Sequence, residues 1–498
     1  MRMQKLSGDI WMPINEAGEI EPKDGSSVVT TIDVDLQDVA EKALLKQLIK
    51  HNAHSGTTVL MEVKTGEVKA IVNLTDTFGA YREYYNYAIG QSSEPGSTFK
   101  LPALLAAIDG GGVDLDDTID TGKGIFNYYD LTIRDDNYLS GGHGILTVQE
   151  VFELSSNVGM AKIITKIYKK HPHRFVDRLY SMSLNQPLQV EIKGEGQPVI
   201  RYPGDNLWSG VTLATMSYGY EVKQTPLQIL SFYNAIANNG KMVKPRFVKE
   251  IRNHGKVERV FVTKVINPSI CSKSSIKKIK KVLEGVVENG TATNLKNSNL
   301  KIAGKTGTTL IYNQNTGYDE KSYQASFVGY FPADEPKYSC IVVIYSPSSY
   351  VYHGAYVAGP VFLEIANKIY ATNLEIQNSL NDGIKKNFEI PYSKNGYQAE
   401  ISATLKGLDI KELYESNSEW VITEKKDDYI ELKAKNFIDN LVPNVLSMGL
   451  KDALFLLENM GLQIEVIGRG SVRSQSLPPG TRIRPGDRIT LEMSFIEG

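Results

Sequence analysis

The sequence predicts an α+β chain: one antiparallel sheet closed by strands from both ends of a domain, helices inserted between them, and a small C-terminal module. Three observations predict it. Strand-like stretches occur twice early, at 57–63 and 68–73, and three times late, at 301–310, 323–331 and 338–345. The long section between them carries apolar residues at helical period. Residues 437–498 are broken by Pro-Gly punctuation at short intervals. Strands segregated from helices in this way build an α+β arrangement, whereas regular alternation builds a parallel sheet.

Taken in order, residues 1–28 mix glycine, proline and acids without a period, and read as a linker or the end of a preceding part. A short strand is expected over 29–32. A helix follows over 36–49, with Leu36, Val39, Ala40, Ala43, Leu44 and Leu48 on one face. Strands 57–63 and 68–73 are joined by Lys64-Thr65-Gly66-Glu67, the composition of a hairpin turn. Helices are expected over 99–108, 148–155, 158–168, 211–216, 225–237 and 274–288. The three late strands complete a five-stranded sheet, and a helix over 357–370 closes a main domain of residues 29–372. Residues 373–436 turn polar and charged and read as a connecting segment, a tether for the module at 437–498. No internal repeat is expected.

Composition narrows the function. An apolar fraction of 41% with 22% charged residues is an ordinary globular balance. Lys and Arg total 55 against 57 acids, a net charge of −2, which excludes nucleic-acid binding by bulk charge. Lys277, Lys278, Lys280 and Lys281 lie among Ile276, Ile279, Leu283 and Val286, so they mark the wet face of an amphipathic helix. Two distant cysteines, Cys271 and Cys340, and scattered histidines offer neither a disulfide framework nor a metal site. No cofactor is expected. No apolar run approaches the roughly 20 residues of a membrane span, and Met1–Gly8 has no signal-peptide core.

Three short patterns carry chemistry: Ser97-Thr98-Phe99-Lys100, Ser155-Ser156-Asn157 and Lys305-Thr306-Gly307-Thr308. Each type recurs elsewhere, at Ser274, Ser183 and Lys64, so context must separate them. Ser97 follows Pro95-Gly96 and opens an apolar helical run, which puts its hydroxyl at a helix N-terminus where developing negative charge is favoured. Lys100 lies on the same face, and a desolvated lysine can act as the base a serine nucleophile needs. Lys305 sits on an expected strand behind Ala303-Gly304, where a glycine marks close approach of a ligand to backbone. Its ammonium and the hydroxyls of Thr306 and Thr308 suit a substrate carboxylate. Backbone N–H groups of that strand and of Ser97 suit an oxyanion hole.

In this order the patterns resemble the penicillin-recognising serine acyltransferases, which comprise peptidoglycan transpeptidases, D,D-carboxypeptidases and serine β-lactamases. The match extends through Glu94-Pro95-Gly96, Val158-Gly159, Gln224-Thr225-Pro226-Leu227-Gln228 and Ser326-Phe327-Val328-Gly329-Tyr330-Phe331-Pro332. Together these resemble a class B penicillin-binding protein over 29–370, which implies the transpeptidase/β-lactamase-like fold. The resemblance implies catalytic roles for Ser97 as nucleophile, Lys100 as base, Ser155 and Asn157 in proton transfer and amide binding, and Lys305 in electrostatic support. Thr306, Gly307 and Thr308 would bind substrate. The substrates implied are peptidoglycan stem peptides, and β-lactams would inhibit by acylating Ser97.

Residues 437–498 run from Val442-Pro443-Asn444-Val445 through an apolar helix to Pro478-Pro479-Gly480 and Ile489-Thr490-Leu491. They resemble a single PASTA module with a core of Val445, Leu454, Leu457, Ile464, Val466, Ile489 and Leu491. Class B proteins carry a membrane anchor and a pedestal before the transpeptidase. The resemblance therefore implies a chain lacking its anchor, with residues 1–28 a remnant of the pedestal. It also implies a catalytic domain on the outer side of the cytoplasmic membrane, and a glycan polymerase and division proteins as partners through the missing region. Pairing with a PASTA module implies septal wall synthesis. A sporulation-specific transpeptidase, a β-lactamase and a β-lactam-acylated sensor are the rival readings.

Overall fold

The computed structural model describes residues 3–5, 7–13, 25–297, 300–311, 322–348, 350–372, 390–415, 418–484 and 486–495. Residues 14–24 of the expected linker and 373–389 of the expected connecting segment lie outside the described residues. The chain divides into two units, Met1–Asn378 and Ser379–Gly498.

In the first unit, a short hairpin pairs Met3–Lys5 with Trp11–Pro13. Strand β1 (Ser27–Thr30) lies beside Val248–Asn253 in a separate three-stranded sheet. Helix α1 (Val34–Lys50) is capped by Asp33, whose carboxylate accepts the backbone N–H groups of Asp35 and Leu36. Strands β2 (Ser55–Glu62), β3 (Val68–Thr77) and β4 (Ala80–Arg82) follow as antiparallel neighbours. A 3-10 turn at Gly96–Phe99 runs directly into α2 (Lys100–Asp109). The inserted section holds the hairpin β5 (Ile125–Tyr128) and β6 (Leu131–Arg134), then helices α3 (Val148–Glu153), α4 (Asn157–Tyr168), α5 (Pro226–Ala237) and α6 (Lys273–Glu288). A helix at Pro172–Ser181, which the sequence reading left out, also belongs here, with Phe175, Val176 and Leu179 buried at helical spacing. Strands β7 (Ala303–Leu310), β8 (Tyr323–Phe331) and β9 (Tyr338–Tyr345) and helix α7 (Gly359–Thr372) end the unit.

The sheet order is β7-β8-β9-β2-β3-β4, antiparallel throughout, so the late strands join the early ones at β9 and β2. It has six strands where five were expected. The extra strand, β4, has three residues, too few to show alternation. It pairs through a two-residue turn in which Phe78 and Gly79 are both left-handed (φ 58° and 84°). Helices α1 and α7 cover one face, where Phe327 of β8 meets Phe362 of α7 edge-on. Helix α5 covers the other, where the Ser339 hydroxyl of β9 donates to Asn234 Oδ1 at 2.8 Å. With both faces covered the central strands are buried along their length: Ser339 through Tyr345 are all buried, and Ile341 through Ile344 are apolar without a break.

The second unit corrects two expectations. Much of 390–436 is a folded module and not a tether. Helix α8 (Gln398–Gly407) is followed by β10 (Glu412–Tyr414), β11 (Trp420–Lys425) and β12 (Ile430–Ala434). The C-terminal part runs α9 (Leu450–Asn459), β13 (Gln463–Gly468), β14 (Ser471–Gln475) and β15 (Arg488–Ser494).

The two parts are copies of one topology. In each, the first strand after the helix runs parallel to the third, and the second runs antiparallel to the third. The helix ends match in detail: Ile410 N–H bonds Leu405 O and Leu462 N–H bonds Leu457 O, with Asp409 and Gly461 left-handed at equivalent places. The registers match as well, Glu412 facing Ile430 as Ile464 faces Ile489. The copies differ between their last two strands. Four residues join β11 to β12, whereas the Pro478-Pro479-Gly480 loop joins β14 to β15. That loop is the sequence mark of the module, so the copy without it went unseen.

The first copy has an apolar cluster of its own, Leu405, Val421, Ile430 and Leu432, and is joined to the second through Trp420. Trp420 of the first is buried with Val445, Met448, Leu456 and Leu457 of the second, and its ring lies beside those of Tyr397, Phe437 and Phe455. Of the core expected for 437–498, Val445, Leu457, Ile489 and Leu491 are buried, while Val466 on the edge strand β13 is 36% exposed.

Candidate active site

The first pattern is shaped by the approach of the 3-10 turn to β7. Gly96 is left-handed (φ 55°), and a Cβ there would stand 1.8 Å from Thr309 Oγ1, so only glycine lets the turn sit against the strand. Gly96 N–H bonds Gly219 O, the Thr98 hydroxyl bonds Pro95 O, and buried Tyr233 donates its phenol to Thr98 O. Ser97 is thereby held half-buried at the head of α2, and Lys100, one turn on, is fully buried.

The second pattern lies between α3 and α4. Ser155 is left-handed (φ 58°), a conformation that costs a non-glycine residue on the order of 1–3 kcal/mol and points to a constrained site. Ser156 caps α4, its hydroxyl accepting Gly159 N–H at 2.8 Å. Asn157 donates its side-chain amide to Arg134 O at 3.0 Å.

The third pattern lies on β7. Gly307 has a structural use: a Cβ would stand 2.2 Å from Ser326 Oγ and 3.1 Å from Thr98 Cγ2. At Gly304, where the sequence reading expected a ligand to approach, the protein itself is close: a Cβ there would stand 2.6 Å from Phe327 Cζ and 2.8 Å from Val328 O. Thr306 and Thr291 share a 2.7 Å hydroxyl contact, and Thr308 Oγ1 accepts Gly354 N–H at 3.2 Å.

The three patterns converge. The Lys100 amine donates to Ser155 O at 2.5 Å and to Ser155 Oγ at 3.1 Å. The Lys305 amine donates to the same Oγ at 2.8 Å and lies 5.7 Å from the Phe152 ring centroid. Burial pushes the Lys100 amine down to about 7, against the pull of Asp135 and Asp136. Burial, joined by the charge of Lys100, pushes Lys305 well below the usual lysine range.

Ser97, Ser155, Asn157, Thr306 and Thr308 line one cleft of about 510 Å³. The decoys stay apart: Lys64 is in the β2–β3 turn, and Ser274 is in the first turn of α6.

Sequence reasoning missed the rest of the cleft wall, formed by Arg134, Asp135, Asp136, Tyr138, Tyr220, Tyr323, Tyr352, His353 and Tyr356. These come from four separate stretches of chain, and no local pattern marks them. A second depression, about 560 Å³, lies on the other unit against Tyr397, Ser402, Tyr414 and Glu419, and none of the motif residues lines it. Among the described residues no cluster of His, Cys, Asp and Glu is placed to hold a metal ion.

A buried lysine titrating near neutrality between a serine at a helix head and a second serine held by another lysine defines a serine acyltransferase of the Ser-x-x-Lys kind. The penicillin binding protein transpeptidase domain matches residues 56–367, and the chain belongs to that family. A PASTA domain matches residues 440–495.

The chain is 29% identical to a probable peptidoglycan D,D-transpeptidase PbpC of Pseudomonas aeruginosa, over 69% of this chain and 58% of that protein. It is 25% identical to stage V sporulation protein D of Bacillus subtilis, over 97% of this chain and 68% of that protein. Penicillin binding protein 3 of Mycobacterium tuberculosis, complexed with aztreonam, superposes with a TM-score of 0.63 at 28% identity, covering 73% of this chain and 83% of that one. The chain thus spans less than two thirds of the Pseudomonas relative's length.

Proposed function

We propose that the protein is a peptidoglycan D,D-transpeptidase that crosslinks stem peptides through an acyl-enzyme at Ser97 and is inhibited covalently by β-lactams. The convergence of Lys100 and Lys305 on Ser155, beside Ser97 in one cleft, carries this reading. Ser97 Oγ attacks the carbonyl carbon of the penultimate D-Ala, and its proton passes to the neutral Lys100 amine. The oxyanion is held by backbone N–H groups of Ser97 and β7. Collapse breaks the amide bond, and the departing D-Ala nitrogen takes up a proton through Lys100 and Ser155. The amine of a second stem peptide then displaces Ser97 from the ester, which forms the crosslink and restores the hydroxyl.

Asn157 holds the substrate amide, Thr306 and Thr308 hold its terminal carboxylate, and Lys305 supplies positive charge beside them. The catalytic domain works outside the cytoplasmic membrane, with a glycan polymerase and division proteins as partners. No helix among the described residues is long and apolar enough to cross a membrane.

Intact-protein mass spectrometry tests the chemistry. A penicillin should add one equivalent to the wild type and none to Ser97→Ala, and an adduct surviving in the variant removes Ser97 from its role. Steady-state β-lactam turnover separates the proposal from a β-lactamase, and crosslinking of synthetic stem peptides separates it from a sensor. Septal synthesis is the proposed setting. The match to the sporulation protein over almost the whole chain favours a second reading, a sporulation-stage transpeptidase. Depletion decides: filaments without septa support the first, and normal division with failed spores supports the second.

A further inference from the structure

The cleft contains a buried carboxylate to which the reaction assigns no part. Asp135 follows β6 and is 2% exposed. Its Oδ2 accepts the Ser156 hydroxyl at 2.8 Å and its Oδ1 accepts Val158 N–H at 2.9 Å, so both oxygens are spent on the first turn of α4. Its own N–H bonds Gly124 O, and the preceding carbonyl, Arg134 O, accepts the Asn157 amide. The 134–135 pair therefore grips residues 156–158 at three points. Directly before the gripped turn stands Ser155, strained at φ 58° and receiving both lysine amines.

We propose that Asp135 is a positioning residue of acylation: its carboxylate fixes the Ser155 turn against Lys100. The inference rests on the reading of the cleft as a Ser-Lys acyltransferase.

The charged groups around Lys100 are few. Lys305 faces it from β7, Asp135 and Asp136 from the end of the β5–β6 hairpin, and Arg134 and His353 lie on the cleft wall. Glu153 of α3 accepts from Gln149 and packs against Gly285 of α6, and Glu94 is engaged by Glu221 N–H. Burial weakens Lys100 as a base, and the two aspartates oppose it, Asp135 more than Asp136. A base works best when it titrates near the working pH, so the buried anion keeps Lys100 from becoming too feeble to take the Ser97 proton.

The test is the rate of single-turnover acylation by a fluorescent penicillin from about pH 5 to 9. Asp135→Asn removes the charge at nearly constant shape. Its acid limb should move down by on the order of one pH unit, as expected for one charge across a medium of effective dielectric about 20, with a lower plateau. Exposed Asp136→Asn should move the limb the same way by less. A purely structural role would lower the plateau and leave the limb in place, and that result overturns the proposal.

Should Asp135→Asn fail to fold, Asp135→Glu decides. It keeps the charge but crowds the turn, so its limb should stay at the wild-type position with a lower plateau while Asp136→Asn lowers the limb, and a limb that Asp136→Asn leaves in place or an undiminished Asp135→Glu plateau overturns the proposal. A wild type that forms no adduct, or an adduct in Ser97→Ala, removes the underlying reading and is distinguishable from both.

Discussion

Lys100 and Lys305, from α2 and β7, place their amines on one oxygen: Ser155 Oγ receives them at 3.1 and 2.8 Å. Neither lysine has any exposed surface. Two ammonium groups sharing one hydroxyl without water would repel each other and forfeit their hydration, so near neutral pH the pair carries at most one charge. The pair thereby holds a neutral amine, which a serine nucleophile requires, and a second amine that an arriving carboxylate can draw to its ammonium form.

The first prediction concerns pH. The neutral form of Lys100 is the base, and it predominates above about 7. Acylation should therefore rise with pH through about 7 and level off. Lys100→Ala should lose at least about a hundredfold in rate, the scale of general-base catalysis, and Lys100→Arg should fare no better because a guanidinium stays protonated. Stopped-flow acylation across pH measures this, and a flat wild-type profile removes Lys100 as the base.

The second concerns charge on binding. Lys305 is held well below the usual lysine range while the cleft is empty, and a carboxylate beside it favours the ammonium. Ser97→Ala binds a penicillin without reacting, so the proton should come from buffer. Calorimetry in two buffers of different ionisation enthalpy should show net proton uptake on binding, by the linkage of charge to pKa. The same measurement on Ser97→Ala/Lys305→Ala should show little.

The third concerns Gly96. In Gly96→Ala the new Cβ meets Thr309 Oγ1 at 1.8 Å on a backbone of φ 55°. The backbone alone costs about 1–3 kcal/mol, and the turn must also shift away from β7, so acylation should fall steeply. Gly79→Ala is the control: its φ is 84° but nothing lies within 4 Å of the new Cβ. It should lose stability by about 1 kcal/mol and keep its acylation rate. Equal losses of activity in the two would contradict the role of the Gly96 contact.

The fourth concerns the second unit. A chain ending at Thr372 should still be acylated, because the cleft-lining residues all precede that point. Cutting at 436 should be worse than removing everything after 372, since it strips Val445, Leu456 and Leu457 from Trp420. Trp420→Ala should destabilise the second unit by about 3–5 kcal/mol and leave acylation by penicillin unchanged, as calorimetric melting and adduct formation would show. Independent melting of 390–436 alone, with full stability, would refute the dependence of the first copy on the packing of Trp420.

The motif residues were legible in the sequence because each pattern is local: Ser97 and Lys100 share one turn, Ser155 and Asn157 one loop, and Lys305, Thr306 and Thr308 one strand. The strands of the sheet were legible for the same reason, since burial on both faces leaves unbroken apolar runs such as Ile341 to Tyr345. Tertiary structure alone decided the meeting of both lysines at Ser155, the grip of Asp135 on Ser156 and Val158, and the fusion of two modules around Trp420. Each of these joins residues distant in sequence, and what sets them is packing and desolvation. A lysine's charge and an aspartate's partners depend on what surrounds them in space, and linear spacing does not record it.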